Sequence, residues 1–225
     1  MSTTKLSSSR LRAYAKSTEK IGKSDRTRAA ILDAALEFIW SGSFHEMTVQ
    51  SLMVSTGISR SAFYRYFNDL HELMETLLDM LAGEITEVIQ PWYSGVGDPV
   101  ALLNETLTGL LSVLYERGPF LRAISDAATS DKRFEKDWRR FLGGFDDIGC
   151  DRVVADQEQG LILEFDPRPV VTALNLLNAH TCIEAFGQRP RKKPEPVRKA
   201  LSRIWVSTLY GVEWVDMESS NLVRT

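Results

Sequence analysis

Cysteine and histidine are scarce in this chain. Its 225 residues include two cysteines, Cys150 and Cys182, and three histidines, His45, His71 and His180. The cysteines lie far apart with no metal-ligand spacing, which favours a reduced cytosolic compartment over a disulfide-stapled secreted one. His180 has no cysteine or carboxylate at a telling spacing, and Cys182, two residues on, faces another side of a helix. HExxH, CxxC and glycine-rich phosphate-loop motifs are absent. The sequence therefore nominates no catalytic residue, no metal site and no cofactor, although carboxylates distant in sequence can still meet in space. No apolar run approaches the roughly 20 residues of a membrane span. The N-terminus is basic but no apolar segment follows it, so it does not read as a secretory signal. A cytoplasmic protein without a membrane partner is the expectation.

What is present is an uneven charge. The net value is −3. Residues 1–28 hold eight Lys and Arg against Glu19 and Asp25, a balance of +6, so the remainder carries −9. A basic end on an acidic body suits contact with a polyanion; a solvated tail without a partner reads equally well from this feature alone. Residues 1–23, rich in Ser, Thr, Lys and Arg, read as a mobile basic arm.

From there the pattern is helical throughout. Ser24 or Asp25 can cap a first helix carrying Ile31, Ala34, Ala35, Phe38 and Ile39 at helical spacing and ending at Ser41-Gly42 with a left-handed glycine. Thr48 opens a short second helix that Gly57 stops. Ser59 starts a third, with Phe63 and Phe67 inward. Asp69 and Glu72 have capping-box-like spacing for a fourth that runs towards Pro91. Further helices are predicted over 99–117, broken by Gly118-Pro119, then over 119–128, over 131–158 with a possible kink at Gly143-Gly144, from Pro167 to near Gly187, and over about 196–214. No strand or repeat is evident.

The stretch TGISRSAFYRYF at 56–67 carries the functional argument. Two short helices meet through Gly57, with Ile58 between them, as in a helix-turn-helix. With Phe63 and Phe67 facing inward, Arg60, Ser61, Tyr64 and Arg65 are left on the outer face. Arginine reads guanine O6 and N7 with two hydrogen bonds, and hydroxyls reach phosphates. A solvated amphipathic helix with incidental arginines is the plainer alternative.

Residues 26–73, with RTRAAILDAALEFI followed by MTVQSLMVSTGISRSAFYRYF, closely resemble the DNA-binding module of TetR-family transcriptional regulators. Position by position, the resemblance implies base or phosphate contact by Thr48, Gln50, Arg60, Ser61, Ala62, Tyr64, Arg65 and Tyr66. One departure stands out: where the family commonly has a lysine soon after the YxYF motif, this chain has Leu70, and His71 beside it is either a partial replacement or simply exposed.

Beyond that module, VTALNLLNAHTCIEAF, VRKALSRIWVSTLYG and the tryptophan of KDWRRF resemble the ethionamide-regulator (EthR-like) branch of the same family. The resemblance implies an all-α, nine-helix fold: an N-terminal three-helix module over 24–72, and a ligand-binding and dimerisation domain over 73–225. It implies a homodimer through the last two helices and a small apolar effector. Val197, Leu201, Ile204, Trp205, Thr208 and Leu209 lie along one broad face of the last helix, which serves the partner subunit, the chain's own core, or both. Leu103, Leu107, Leu110 and Leu114 form one stripe, and Phe134, Trp138, Phe141, Phe145 and Ile148 another. Such stripes are usually core. Asn175 and Asn178, three apart amid Leu174 and Leu177, are carboxamides in an apolar setting that must find partners: a ligand's polar group, neighbouring backbone, or the partner subunit.

On the branch reading, Leu103, Leu107, Leu110, Leu114, Trp138, Phe141, Phe145, Asn175, Asn178 and Trp205 line a ligand site. Leu103, Leu110, Leu114, Phe145 and Ala179 differ from the branch pattern, so the same ligand does not follow. The expected function is a ligand-responsive DNA-binding regulator, a repressor released from its DNA operator by an apolar ligand. The alternative is a helical carrier or enzyme with a vestigial DNA-binding module.

Overall fold

The computed structural model describes residues 23–42 and 44–211. These residues are helical, with no strand among them. The helices are α1 (Lys23–Ser41), α2 (Val49–Thr56), α3 (Arg60–Phe63), α4 (Leu70–Ser94), α5 (Pro99–Ala128), α6 (Lys132–Glu158), α7 (Pro167–Phe186) and α8 (Pro194–Tyr210), with one 3-10 turn at Phe44–Glu46. The basic arm expected at 1–23 lies outside the described residues except for its last position. The chain divides into two compact units inside α4, the first ending at Leu77 and the second beginning at Leu78; the sequence places that boundary at 72/73.

The first unit is assembled by local rules. Thr48 and Ser51 form a reciprocal box at the start of α2: the Thr48 Oγ1 accepts from the Ser51 N–H, and the Ser51 Oγ accepts from the Thr48 N–H, both at 3.0 Å. Such a box satisfies two amides that a helix start otherwise leaves orphaned. Gly57 ends α2 with φ 66°, a conformation that costs a Cβ-bearing residue about 1 kcal/mol or more. Ser59 caps α3 by accepting from the Ala62 N–H at 3.3 Å. Phe63 and Phe67 are buried with ring centroids 5.6 Å apart, and Ile31, Ala35 and Leu52 are buried in the same unit. α1 begins earlier than expected, at Lys23, so Ser24 and Asp25 lie in its first turn. It ends without a left-handed glycine: the positive-φ glycines among the described residues are Gly57, Gly97, Gly160 and Gly211.

In the second unit α5 packs against α6, α7 and α8. Here the nine-helix expectation gives way to eight α-helices among the described residues, because Gly118-Pro119 does not break α5. Pro119 lacks the N–H that would bond the Tyr115 carbonyl. The Arg191 guanidinium takes that carbonyl instead, at 2.6 Å, and its carbon lies 3.8 Å from the centre of the Tyr115 ring. Gly118 is needed for a different reason: a Cβ there would stand 2.4 Å from the Phe186 carbonyl oxygen. Pro91 inside α4 is flanked by a different substitute bond. The Trp92 N–H donates to the buried Thr106 hydroxyl at 3.1 Å. α6 is likewise continuous through Gly143-Gly144. α8 starts with Pro194 at its first turn, as a helix start tolerates, and stops at Gly211 with φ 64°, short of the expected 214.

Candidate nucleic-acid interface and ligand cavity

Thr48, Gln50, Arg60, Ser61, Tyr64 and Arg65 are all exposed. Arg60 and Tyr64 sit one turn apart: the guanidinium lies 5.7 Å from the phenol ring centre and donates to the Tyr64 hydroxyl at 3.3 Å. Ser59 and Ser61 hydroxyls are 3.0 Å apart beside it. Tyr66 is half-buried, and its hydroxyl accepts from Ser24 at 3.3 Å. Ala62 departs from the expectation. It is only 4% exposed, because it lies on the same side of α3 as the Phe63 core, so its methyl offers no surface to a base. Leu70 opens α4 half-buried, and His71 beside it is also half-buried.

The second unit contains a cavity of about 80 Å³ open to the centres of water-sized molecules. Among its walls are Leu103, Leu107, Leu110 and Leu114 from α5, Phe141 and Phe145 from α6, Asn175 and Asn178 from α7, and Trp205 from α8. Phe141 and Phe145 meet edge-on at 5.2 Å. Trp138, expected there too, is not at the wall. It stacks on Phe141 at 5.6 Å and 18°, so Phe141 stands between it and the cavity. Phe134, on the same stripe, is plain core at 5% exposure.

Both asparagines have protein partners. Asn175 donates from Nδ2 to the Asp146 carboxylate at 2.9 Å, and Thr172 donates to the other oxygen of that carboxylate at 2.7 Å. Asn178 accepts on Oδ1 from the Trp205 indole at 2.9 Å. The α6–α7 approach that brings Asp146 into reach depends on Gly149, where a Cβ would stand 2.6 Å from Val171. Sequence reasoning missed Asp146, and nothing in its neighbourhood marks it except its place one turn before that glycine.

Sequence reasoning also missed Trp92 and Thr106 on the wall. Trp92 belongs to a buried polar network at the end of α4. Its indole donates to the Tyr210 hydroxyl at 2.8 Å, and Tyr210 donates to Asp156 at 2.8 Å. Arg152 bonds Asp156 at 3.0 Å, and donates to the Trp92 carbonyl at 2.5 Å and the Gly95 carbonyl at 3.3 Å. Burial pushes the Tyr210 phenol well above its ordinary value, and the bond to Asp156 adds to that, so it serves as a neutral donor. The two thiols are buried and unpaired; burial pushes Cys182 up to about 12 and raises Cys150 as well, which disfavours the thiolate form that cysteine chemistry uses. No helix among the described residues is long and apolar enough to cross a membrane.

Known proteins match both units. Residues 31–77 match the family of bacterial regulatory proteins, tetR family, and residues 103–211 match the C-terminal domain of the transcriptional regulator EthR. The HTH-type transcriptional regulator EthR of Mycolicibacterium smegmatis is 26% identical over 190 residues, covering 83% of this chain and 88% of that protein. Its namesake in Mycobacterium tuberculosis (strain CDC 1551 / Oshkosh) is 28% identical over 194 residues, with the same coverage. Among solved structures, a putative TetR-family regulator from Syntrophomonas wolfei superposes with a TM-score of 0.74 at 14% identity, over 86% of this chain and all of that one. A SmeT–triclosan complex superposes at 0.70, also at 14% identity, over 82% of this chain and 92% of that one. The chain belongs to the TetR family of helix-turn-helix transcriptional regulators, as a member similar to EthR.

Proposed function

We propose that the protein is a homodimeric repressor, released from its operator by a small apolar ligand held in the cavity of its second unit. The observation that carries this reading is the cavity itself, walled by leucine and aromatic side chains with two carboxamides among them, in a chain whose first unit is a helix-turn-helix. Apolar walls with few convergent polar groups are the usual make-up of a small-molecule site. By analogy, the SmeT complex holds triclosan within the same fold.

Arg60, Tyr64 and Arg65 read bases, and Thr48, Gln50, Ser61 and Tyr66 hold phosphates. Ala62 assists only by letting the backbone approach. The dimer forms through α7 and α8. Leu176 and Ile204 are 40% and 39% exposed, and Ala173, His180, Ala200, Ser207 and Thr208 are exposed on the same two helices. Trp205 and Leu209 are buried in the chain's own core, so the broad apolar face of the last helix is split between core and partner. Two recognition helices then address successive major grooves of a roughly palindromic site. A ligand releases the dimer only to the extent that it prefers the arrangement with the wrong spacing. The reading assigns no catalytic role, and places the protein in the cytoplasm.

The test is a titration of the DNA-bound dimer with apolar compounds that raise the melting temperature of the free protein. Release of DNA at concentrations that saturate the thermal shift supports the reading. Compounds that stabilise the protein yet leave every DNA complex intact contradict it.

A further inference from the structure

The two carboxamides on the cavity wall are held in opposite senses. A carboxylate only accepts and an indole N–H only donates, so each partner dictates which end of its asparagine is taken. Asp146 takes the –NH2 of Asn175. Trp205 takes the carbonyl oxygen of Asn178. No other described residue bonds either carboxamide. What remains unbonded on these two wall residues is therefore one acceptor, the Asn175 Oδ1, and one donor group, the Asn178 Nδ2, three residues apart on α7.

We propose that this pinned pair selects ligands whose head group offers a donor and an acceptor together, a neutral carboxamide above all, and that Asp146 is the residue that sets the selection. The inference rests on the cavity being the ligand site. An ester or ketone accepts from Asn178 but leaves the Asn175 oxygen without a donor, on a wall built mostly of apolar side chains. A buried polar atom left unpaired weakens binding more than a made bond strengthens it. A carboxylate fares worse: it brings a second acceptor to the Asn175 oxygen, and it approaches the buried Asp146, which is hydrogen-bonded by the neutral Thr172 and Asn175 and only partly offset by the more distant Arg168. An amide satisfies both asparagines and carries no charge.

Hexanamide, methyl hexanoate and hexanoate at pH 7 share a chain and differ in the head group, so calorimetry on the full protein tests the selection directly. Hexanamide is expected to bind about tenfold or more tightly than the other two. Equal binding of amide and ester overturns the donor–acceptor assignment while leaving the cavity as the ligand site. Absence of both heat and thermal shift for all three probes overturns the cavity reading and this inference with it. Asp146→Asn supplies the second arm. An asparagine at 146 can donate to the Asn175 oxygen and turn that carboxamide round, so its –NH2 faces the cavity. The amide-over-ester preference is then expected to collapse, and hexanoate to gain. An unchanged preference in a variant with wild-type circular dichroism overturns the role given to Asp146; if that variant fails to fold, the three-probe comparison on the wild type still decides the assignment.

Discussion

The Arg191 guanidinium donates to the Tyr115 carbonyl at 2.6 Å, the carbonyl that Pro119, four residues on, has no N–H to reach. This bond explains why a proline in the middle of α5 leaves the helix continuous. Arg191→Met keeps most of the side chain's stem and removes the donor. It should cost about 1–3 kcal/mol, the range for a buried acceptor left unsatisfied, read as a lowered melting temperature. Pro119→Ala restores an N–H at the right place, so the same arginine change should cost clearly less in that background. Equal costs in both backgrounds would show that the two residues are not coupled.

Arg152 and Asp156 form the buried ion pair of the second unit, with side chains 10% and 1% exposed. Arg152→Met should destabilise by about 3–5 kcal/mol, since it leaves Asp156 buried beside Tyr210 without a cation. Asp156→Asn in addition should recover part of that loss. Denaturant unfolding of the single and double variants measures both quantities.

Asn178 has a structural duty as well as a place on the cavity wall. Asn178→Leu leaves the Trp205 indole without its acceptor, so the free protein should lose about 1–3 kcal/mol. Trp205→Phe removes the orphaned donor and should make the asparagine change cheaper. The readout is a double-mutant cycle of melting temperatures without ligand, and additive losses would contradict the assignment.

These cases mark where sequence reading works and where it fails. The turn around Gly57 was legible because Thr48, Gly57, Ser59, Phe63 and Phe67 act on backbone within a few residues of themselves. The leucine and aromatic stripes were legible by helical spacing, whereas the two asparagines are assigned to a ligand site by the resemblance and not by their spacing. Pro119 was misread because the group that rescues its helix bonds across 76 residues, and local propensity contains no trace of it. Asp146 was missed for the same reason: its partners Thr172 and Asn175 come from another helix. Trp138 was misplaced because spacing identifies a face and not which ring on that face stands in front. The expectation for Ala62 follows from a family pattern of positions, which says nothing about how deep a small side chain sits.

The account's central claim is that the first unit reads DNA through the outer face of α3. The most direct measurement is the affinity of the full chain for the duplex upstream of its own coding sequence, against a scrambled duplex of equal length, for the wild type, Arg60→Ala and Tyr64→Ala. The account predicts that the wild type prefers the upstream duplex. Each variant should lose about 1–3 kcal/mol of that preference, with unchanged circular dichroism, because both side chains are exposed. A wild type that binds the two duplexes equally, or variants that keep the full preference, would contradict it.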